Sequence, residues 1–434
     1  MTSIRLSFLA AVLLAMPAFG ADLERDPIRY SSAPDDNAVS RLQRRLESGQ
    51  ARLVYDEQFG YLRSLLRELR VPESSQVLVF SKTSLQRNRI GPQTPRALYF
   101  GDDVHIGYCR QGTVLEISAT DPKLGTVFYS LDQDRAEKPR FVRQNDACLI
   151  CHASSQNQGF PGHLARSVLP DGEGYPILSA GTYRIDQTSP LKRRWGGWYV
   201  TGTSGGQSHL GNLVIRSKRP PSMEEIENKA GVNVTNLNEW FKTAPYLTPH
   251  SDIVALMVLE HQAEMHNLIT RANFQTQLAL YEEAEINKEL GRPADYRSET
   301  TLSRLRSAGE PLVKYLLFSG ETALTDRIRG TSGFAEEFVK RGLRDSRGRS
   351  LRDLDLRHRL FAYPCSYLIY SEAFDALPEL LKAYVYRRLH EVLTGRDASA
   401  DFAHLTDADC TAILEILMAT KPNLPSSWKA ATAK

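Results

Sequence analysis

The pattern of apolar and polar positions changes character along the chain. Near the N-terminus, "NAVSRLQRRLESG" and "FGYLRSLLRELRV" repeat apolar residues at helical spacing and end on a glycine or polar stop, which predicts two short helices. From Ser75 to about Leu131 come short runs rich in β-branched and aromatic residues: "SQVLVFS", "RALYF", "VHIGYC", "TVLEIS" and "TVFYSLD". Gly, Asp and Pro turns separate them, so a small antiparallel sheet is expected. Further strand candidates are "YPILSAGTYRID" and "RWGGWYVTG". From about Pro220 the pattern reads as nearly all helical, beginning at a capping box, Ser222-Met223-Glu224-Glu225. The expected fold class is therefore α+β, with a sheet-rich region over residues 21–216 and an all-helical domain over 217–434. No internal repeat or low-complexity tract suggests a solenoid or propeller.

The first residues, "MTSIRLSFLAAVLLAMPAFGADLE", set one arginine before an apolar run and then a small-residue site at Ala18-Phe19-Gly20. That is the form of a secretory signal peptide over residues 1–20. Its apolar run is too short to span a bilayer, and no later segment is long and apolar enough, so no transmembrane segment is expected in the mature chain. A periplasmic or secreted protein follows. Charge adds little: 54 basic and 51 acidic residues are interleaved over 434 residues, which gives no broad field for nucleic acid.

The chemistry concentrates in "RQNDACLICHASSQNQGFPGH", within which Cys148-Leu149-Ile150-Cys151-His152 stands out. A c-type haem is held by two thioether bonds from cysteines three apart on one turn, with the following imidazole on the iron. Zinc would want further ligands at close spacing, and neither a second CxxC nor an HxxxH pair occurs. A thioredoxin-like pair would want a buried strand before it, where "RQNDA" is polar. One covalent haem c on Cys148 and Cys151, with His152 as proximal ligand, is the expectation. Of the other cysteines, Cys365 and Cys410 could be bridged or be buried thiols, and Cys109 is left over.

Through Cys148, Cys151 and His152 the chain resembles the c-type cytochromes. The resemblance implies haem c and electron transfer to a periplasmic redox partner. With "SQVLVFSKTSLQ", "RWGGWYVTG" and "SDIVALMVLEHQAEMHNLITRAN", it is also similar to a group of large single-haem bacterial cytochromes, mostly uncharacterised. Only the motif and its surroundings carry the likeness.

The sixth ligand is open. No methionine lies between Met16 and Met223, and Met223 falls on the capping box. His261 sits in a long helical pattern whose start is expected at Thr248 and Pro249, in one line with Val254, Met257, Val258, Met265, Leu268 and Ala272. An imidazole there is desolvated, so His261 is either a satisfied core histidine or the distal ligand. Met265 is a possible ligand or haem packing, and His266 lies on the flank. His163 and His209, in turn-rich segments, are expected at the surface unless one serves as a ligand or propionate partner. Arg143 and Arg166 could pair with propionates. Trp195 and Trp198 are expected to pack the sheet near the porphyrin. An exported electron-transfer cytochrome is the leading reading. The alternative is a haem-dependent oxidoreductase, peroxidase- or oxygenase-like, with an open or weakly held distal site.

Overall fold

The computed structural model describes residues 23–217 and 222–430, so the signal-peptide assignment at 1–20 lies outside the described residues. Among the described residues there are nine strands: β1 (Val77–Val79), β2 (Arg96–Phe100), β3 (Val104–Tyr108), β4 (Val114–Asp121), β5 (Gly125–Asp132), β6 (Phe141–Arg143), β7 (Arg166–Val168), β8 (Thr182–Arg184) and β9 (Trp198–Tyr199). Helices α1 (Ala38–Glu47), α2 (Leu62–Glu68) and α3 (Leu149–His152) accompany them. Then follow α4 (Ile253–Glu289), α5 (Glu299–Leu316), α6 (Phe334–Lys340), α7 (Glu372–Asp375), α8 (Glu379–Leu393), α9 (Asp407–Thr420) and α10 (Ser426–Ala430). The architecture is α+β, sheet-rich first and helical second.

Strands β1 to β6 form an antiparallel meander, and β9 joins its β1 edge, giving the order β6-β5-β4-β3-β2-β1-β9. The pleat divides the residues between two faces. Ala97, Tyr99, Val104, Ile106, Leu115, Ile117, Val127 and Tyr129 pack under α1 and α2 in one apolar core. The opposite face carries Phe100, His105, Ser118 and Phe128, aligned by the register His105↔Ser118 and Ser118↔Phe128. A second core joins that side of β1 and β2 to α4, α5, α8 and α9, so Val77 and Phe100 share a cluster with Ile253 and Leu316. The largest core thus runs across the boundary between the two sequence regions.

Helix α4 is the axis of the molecule, and it begins at Ile253 rather than at the expected Thr248-Pro249. Residues 248–252 are engaged elsewhere. Gln76 donates to the carbonyls of Thr248 and His250, Ser251 hydrogen-bonds Tyr199, and Ile253 N–H donates to Thr201. Asp252 is the N-cap, accepting from the backbone N–H of Val254 and Ala255. Every residue from Ile253 to Ala263 is buried, so the expected apolar stripe is a helix enclosed all round over its first three turns. The capping box at Ser222 and Glu225 is present, on a single 3₁₀ turn. The described residues of 200–217 and 222–252 otherwise hold little regular structure and are fixed by side chains such as Asn212, which bonds Val200 in both directions and Gly231. No described helix is long and apolar enough to cross a membrane.

Candidate haem-attachment site

Strand β6 runs into the motif, and α3 is the single turn that carries it. The N–H of His152 bonds the carbonyl of Cys148 at 3.0 Å, which sets both cysteines on one side of a helical turn with the imidazole next in line. Cys148 is partly buried, Cys151 is exposed, and neither is in a disulfide. Burial, and behind it the nearby Glu116 carboxylate, push the Cys148 thiol up to about 11.

The orientation of His152 is the informative detail. Its Nδ1 lies 2.8 Å from the carbonyl of Gly162, and a carbonyl can only accept, so Nδ1 carries the proton. Nε2 is left with its lone pair and has no hydrogen-bond partner among the described residues. Burial lowers the pKa of the ring and keeps it neutral. The ring rests on Phe128, centroids 4.7 Å apart. Gly162 itself is pinned to α4, since a Cβ there would stand 2.2 Å from Asn267 Oδ1. Asn267 accepts from the His163 N–H at 2.8 Å and donates to its carbonyl at 2.9 Å, while Asn157 donates to the His152 carbonyl.

The surroundings suit an amphipathic anionic group. Val142 pairs with Ser130, so it points to the same face as Phe128. Val142 is 53% exposed and Ile150, between the two cysteines, is 77% exposed, leaving apolar surface beside the turn. Arg166 and Arg184 stand directly opposite on β7 and β8, a like-charge pair that wants an anion nearby. Arg184 has Glu264, whereas Arg166 has no ion pair among the described residues and lies within electrostatic reach of His152. Arg271, partly buried and likewise without an ion pair among the described residues, lines a small cavity under the same loop. The chemistry of this donor set fits a haem c: Cys148 and Cys151 would form the thioethers, His152 would serve as ligand and Arg166 would face a propionate.

Other residues singled out from the sequence are used differently. Arg143 donates to the carbonyls of Tyr30 and Ala33 and lies over the Tyr30 ring, so its charge serves the N-terminal segment. Trp195 donates to the Glu260 carboxylate, and Trp198 holds the Arg166 carbonyl at 2.8 Å. His209, expected at the surface, is buried against Trp195 and accepts from the Gly211 N–H. Met223 packs with Leu169 and Leu210, and Met265 lies in the large core. Cys365 and Cys410 are unbonded thiols in the helical half, and Cys109 is buried and free.

His261 is not brought to His152. Its Nδ1 meets Gln187 Oε1 at 2.6 Å and its Nε2 meets Ser366 Oγ at 2.8 Å, and its ring stacks on Phe318. Both nitrogens are engaged, as in a satisfied core histidine. The histidines that gather behind the turn are others. His163 reaches Ser118 Oγ at 2.9 Å and lies 4.2 Å from His105, ring to ring, with His266 at 6.4 Å. All three are buried, and the Nδ1 atom of each lacks a partner. Burial lowers all three pKa values, that of His105 to about 3.

Sequence reasoning passed over His105, Arg96 and Glu116. Arg96 pairs with Glu116 at 2.5 Å, and its guanidinium lies where a Cβ on Gly107 would stand. Both charges act on His152 and on Cys148. Nothing in spacing could flag them, because they meet only through the β2-β3-β4 register. In comparisons with family models, curated proteins and solved structures, the chain matches none.

Proposed function

We propose that this chain is an exported c-type cytochrome that carries one covalent haem on Cys148 and Cys151, with His152 as axial ligand, and passes single electrons to a redox partner in the periplasm. The observation that carries the reading is the α3 turn with its His152 proton committed to Gly162. A ligating imidazole ordinarily donates its other N–H to a carbonyl or carboxylate, which fixes the ring and raises its basicity. When bound, haem c supplies a one-electron couple at the iron. The protein's own part is to hold the ring through Gly162 and Asn267, to shield one side with Phe128, and to offer Arg166 to a propionate. The exposed Cys151 edge supports exchange with a docked partner.

A second reading, a haem-dependent oxidoreductase with an open distal site, is favoured by one specific observation. His261 is consumed by Gln187 and Ser366, while the Arg96–Glu116 pair stands close to the turn. The test is expression of the full chain with a cytochrome c maturation system, followed by denaturation. Haem is expected to stay on the chain in denaturant and to be lost in C148S/C151S. Haem that extracts freely into acidic acetone from the unaltered protein would overturn the proposal. Absorption spectra then divide the readings: a low-spin, CO-inert haem supports the carrier, and a high-spin haem that takes up CO supports the enzyme.

A further inference from the structure

A cleft of about 700 Å³ opens between α5, residues Glu264 and Leu268 of α4, and the loops at 186–188, 318–323, 358–359 and 400–404. Three independent features set it apart from ordinary surface. Two of its lining residues, Tyr315 and Ser319, carry hydroxyl oxygens that are buried with no partner, and Tyr315 is only 7% exposed. Such groups cost free energy unless something meets them. Phe318, also lining the cleft, has φ of 60°, a left-handed conformation that a bulky residue adopts only when its surroundings impose it. Its ring is fixed by stacking on His261, centroids 4.6 Å apart.

The third feature is charge. Each lining cation already has its counter-ion: Lys314 pairs with Asp401 at 2.6 Å and Arg359 with Asp409. Glu264 is paired with Arg184, His358 leans on Asp355, and His404 donates to the Leu317 carbonyl. Asp186 and Glu321 remain. Asp186 accepts only from its own turn, at Thr188, and Glu321 accepts from the Leu360 N–H at 2.9 Å; among the described residues neither has an ion pair of its own, the arginines that act on them at longer range, Arg184 on Asp186 and Arg194 and Arg359 on Glu321, each being paired with another carboxylate. Two carboxylates are therefore in surplus beside two unpartnered hydroxyls and an apolar wall of Leu268, Pro311 and Phe318.

We infer that this cleft binds a small primary amine carried on an apolar body, its ammonium held by Asp186, Glu321 and the Tyr315 and Ser319 hydroxyls and its body laid on Phe318. An ammonium offers three donors to two hydroxyl oxygens that have no partner and two carboxylates that have no ion pair of their own, and an aromatic face adds a cation–π contribution. Binding here is independent of haem attachment at Cys148 and Cys151.

Isothermal titration of the full chain at pH 8, where Glu321 (raised by burial to about 7) is ionised, decides the matter with three probes of one shape: 2-phenylethylamine, 2-phenylethanol and phenylacetate. The amine is expected to bind, the alcohol to bind roughly tenfold more weakly, and the carboxylate to give no heat. E321Q and D186N are each expected to weaken the amine about tenfold, and Y315F by a smaller factor, in variants whose circular dichroism matches the parent. Phenylacetate binding as tightly as the amine, no heat from any probe, or amine affinity unchanged in both E321Q and D186N would each overturn the assignment. A variant that loses the parent circular dichroism is replaced by E321D, for which weaker amine binding is again the supporting result and unchanged binding the opposing one.

Discussion

His261 and His266 stand little more than one turn apart on α4 and are equally buried, yet they sit in opposite kinds of surroundings. Around His261 every polar group on the helix has a partner. Glu260 meets Arg194 and Trp195, His261 meets Gln187 and Ser366, and Gln262 donates to Gly101 and accepts from Tyr367. Around His266 the neighbouring imidazoles of His105 and His163 each keep a buried Nδ1 without a partner, as does His266 itself. The difference separates two uses of the same residue type. A completely satisfied network specifies one interior packing. An unsatisfied group of rings beside the α3 turn marks the place where the protein leaves hydrogen-bonding capacity uncommitted.

Acid gives the largest expected effect. His105, His209 and His261 have pKa values pushed by burial from 6.5 to about 3. The unfolded chain therefore binds protons below pH 6.5 that the folded chain refuses, and stability falls as pH drops from 6.5 toward 3. Each imidazole contributes about 1.4 kcal/mol per pH unit, about 4 kcal/mol for the three together one unit below 6.5; Asp103, Glu260 and Glu321, raised by burial to about 7, act in the opposite direction over the same range, so the imidazole part is the pH dependence that H105F/H209F/H261F removes. Urea midpoints of the parent and of that variant at pH 7 and 5.5 measure it, and the same pH dependence in both would show that the rings titrate alike in the folded and unfolded chains. Next comes E260A, which leaves the Arg194 guanidinium buried and uncompensated; about 3–5 kcal/mol should be lost in guanidinium unfolding.

A smaller loss sharpens the comparison within the helix. H261F strands Gln187 Oε1 and Ser366 Oγ and should cost about 1–3 kcal/mol, and under the proposed haem attachment it leaves the absorption spectrum of the haem-loaded protein unchanged. H163F strands only Ser118 Oγ and should cost roughly 1 kcal/mol or less, while shifting that spectrum. If H163F cost as much as H261F, the contrast between satisfied and unsatisfied surroundings would have no energetic content.

Much of the fold was legible because local pattern and tertiary demand agree. The five runs from "SQVLVFS" to "TVFYSLD" became β1 to β5, and the first two helical patterns became α1 and α2. Legibility failed where distant partners decide. The start of α4 moved to Asp252 because Gln76, Tyr199 and Thr201 hold the residues before it, and "YPILSAGTYRID" kept only the three residues of β8. At the site, Cys148, Cys151 and His152 were visible by spacing alone. His163 read as a surface residue because its own segment is rich in turns; it is buried because Asn267, about a hundred positions later, clasps its backbone. All five residues of β3 are buried, so no alternation singled out His105.

The segment around α3 is fastened at two ends that are made at different times. Arg143 ties its leading side to Tyr30 and Ala33, which leave the ribosome before it, whereas Asn267 secures its trailing side from a helix synthesised long afterward. Until α4 folds, the segment that carries Cys148 and Cys151 is anchored at its leading end alone.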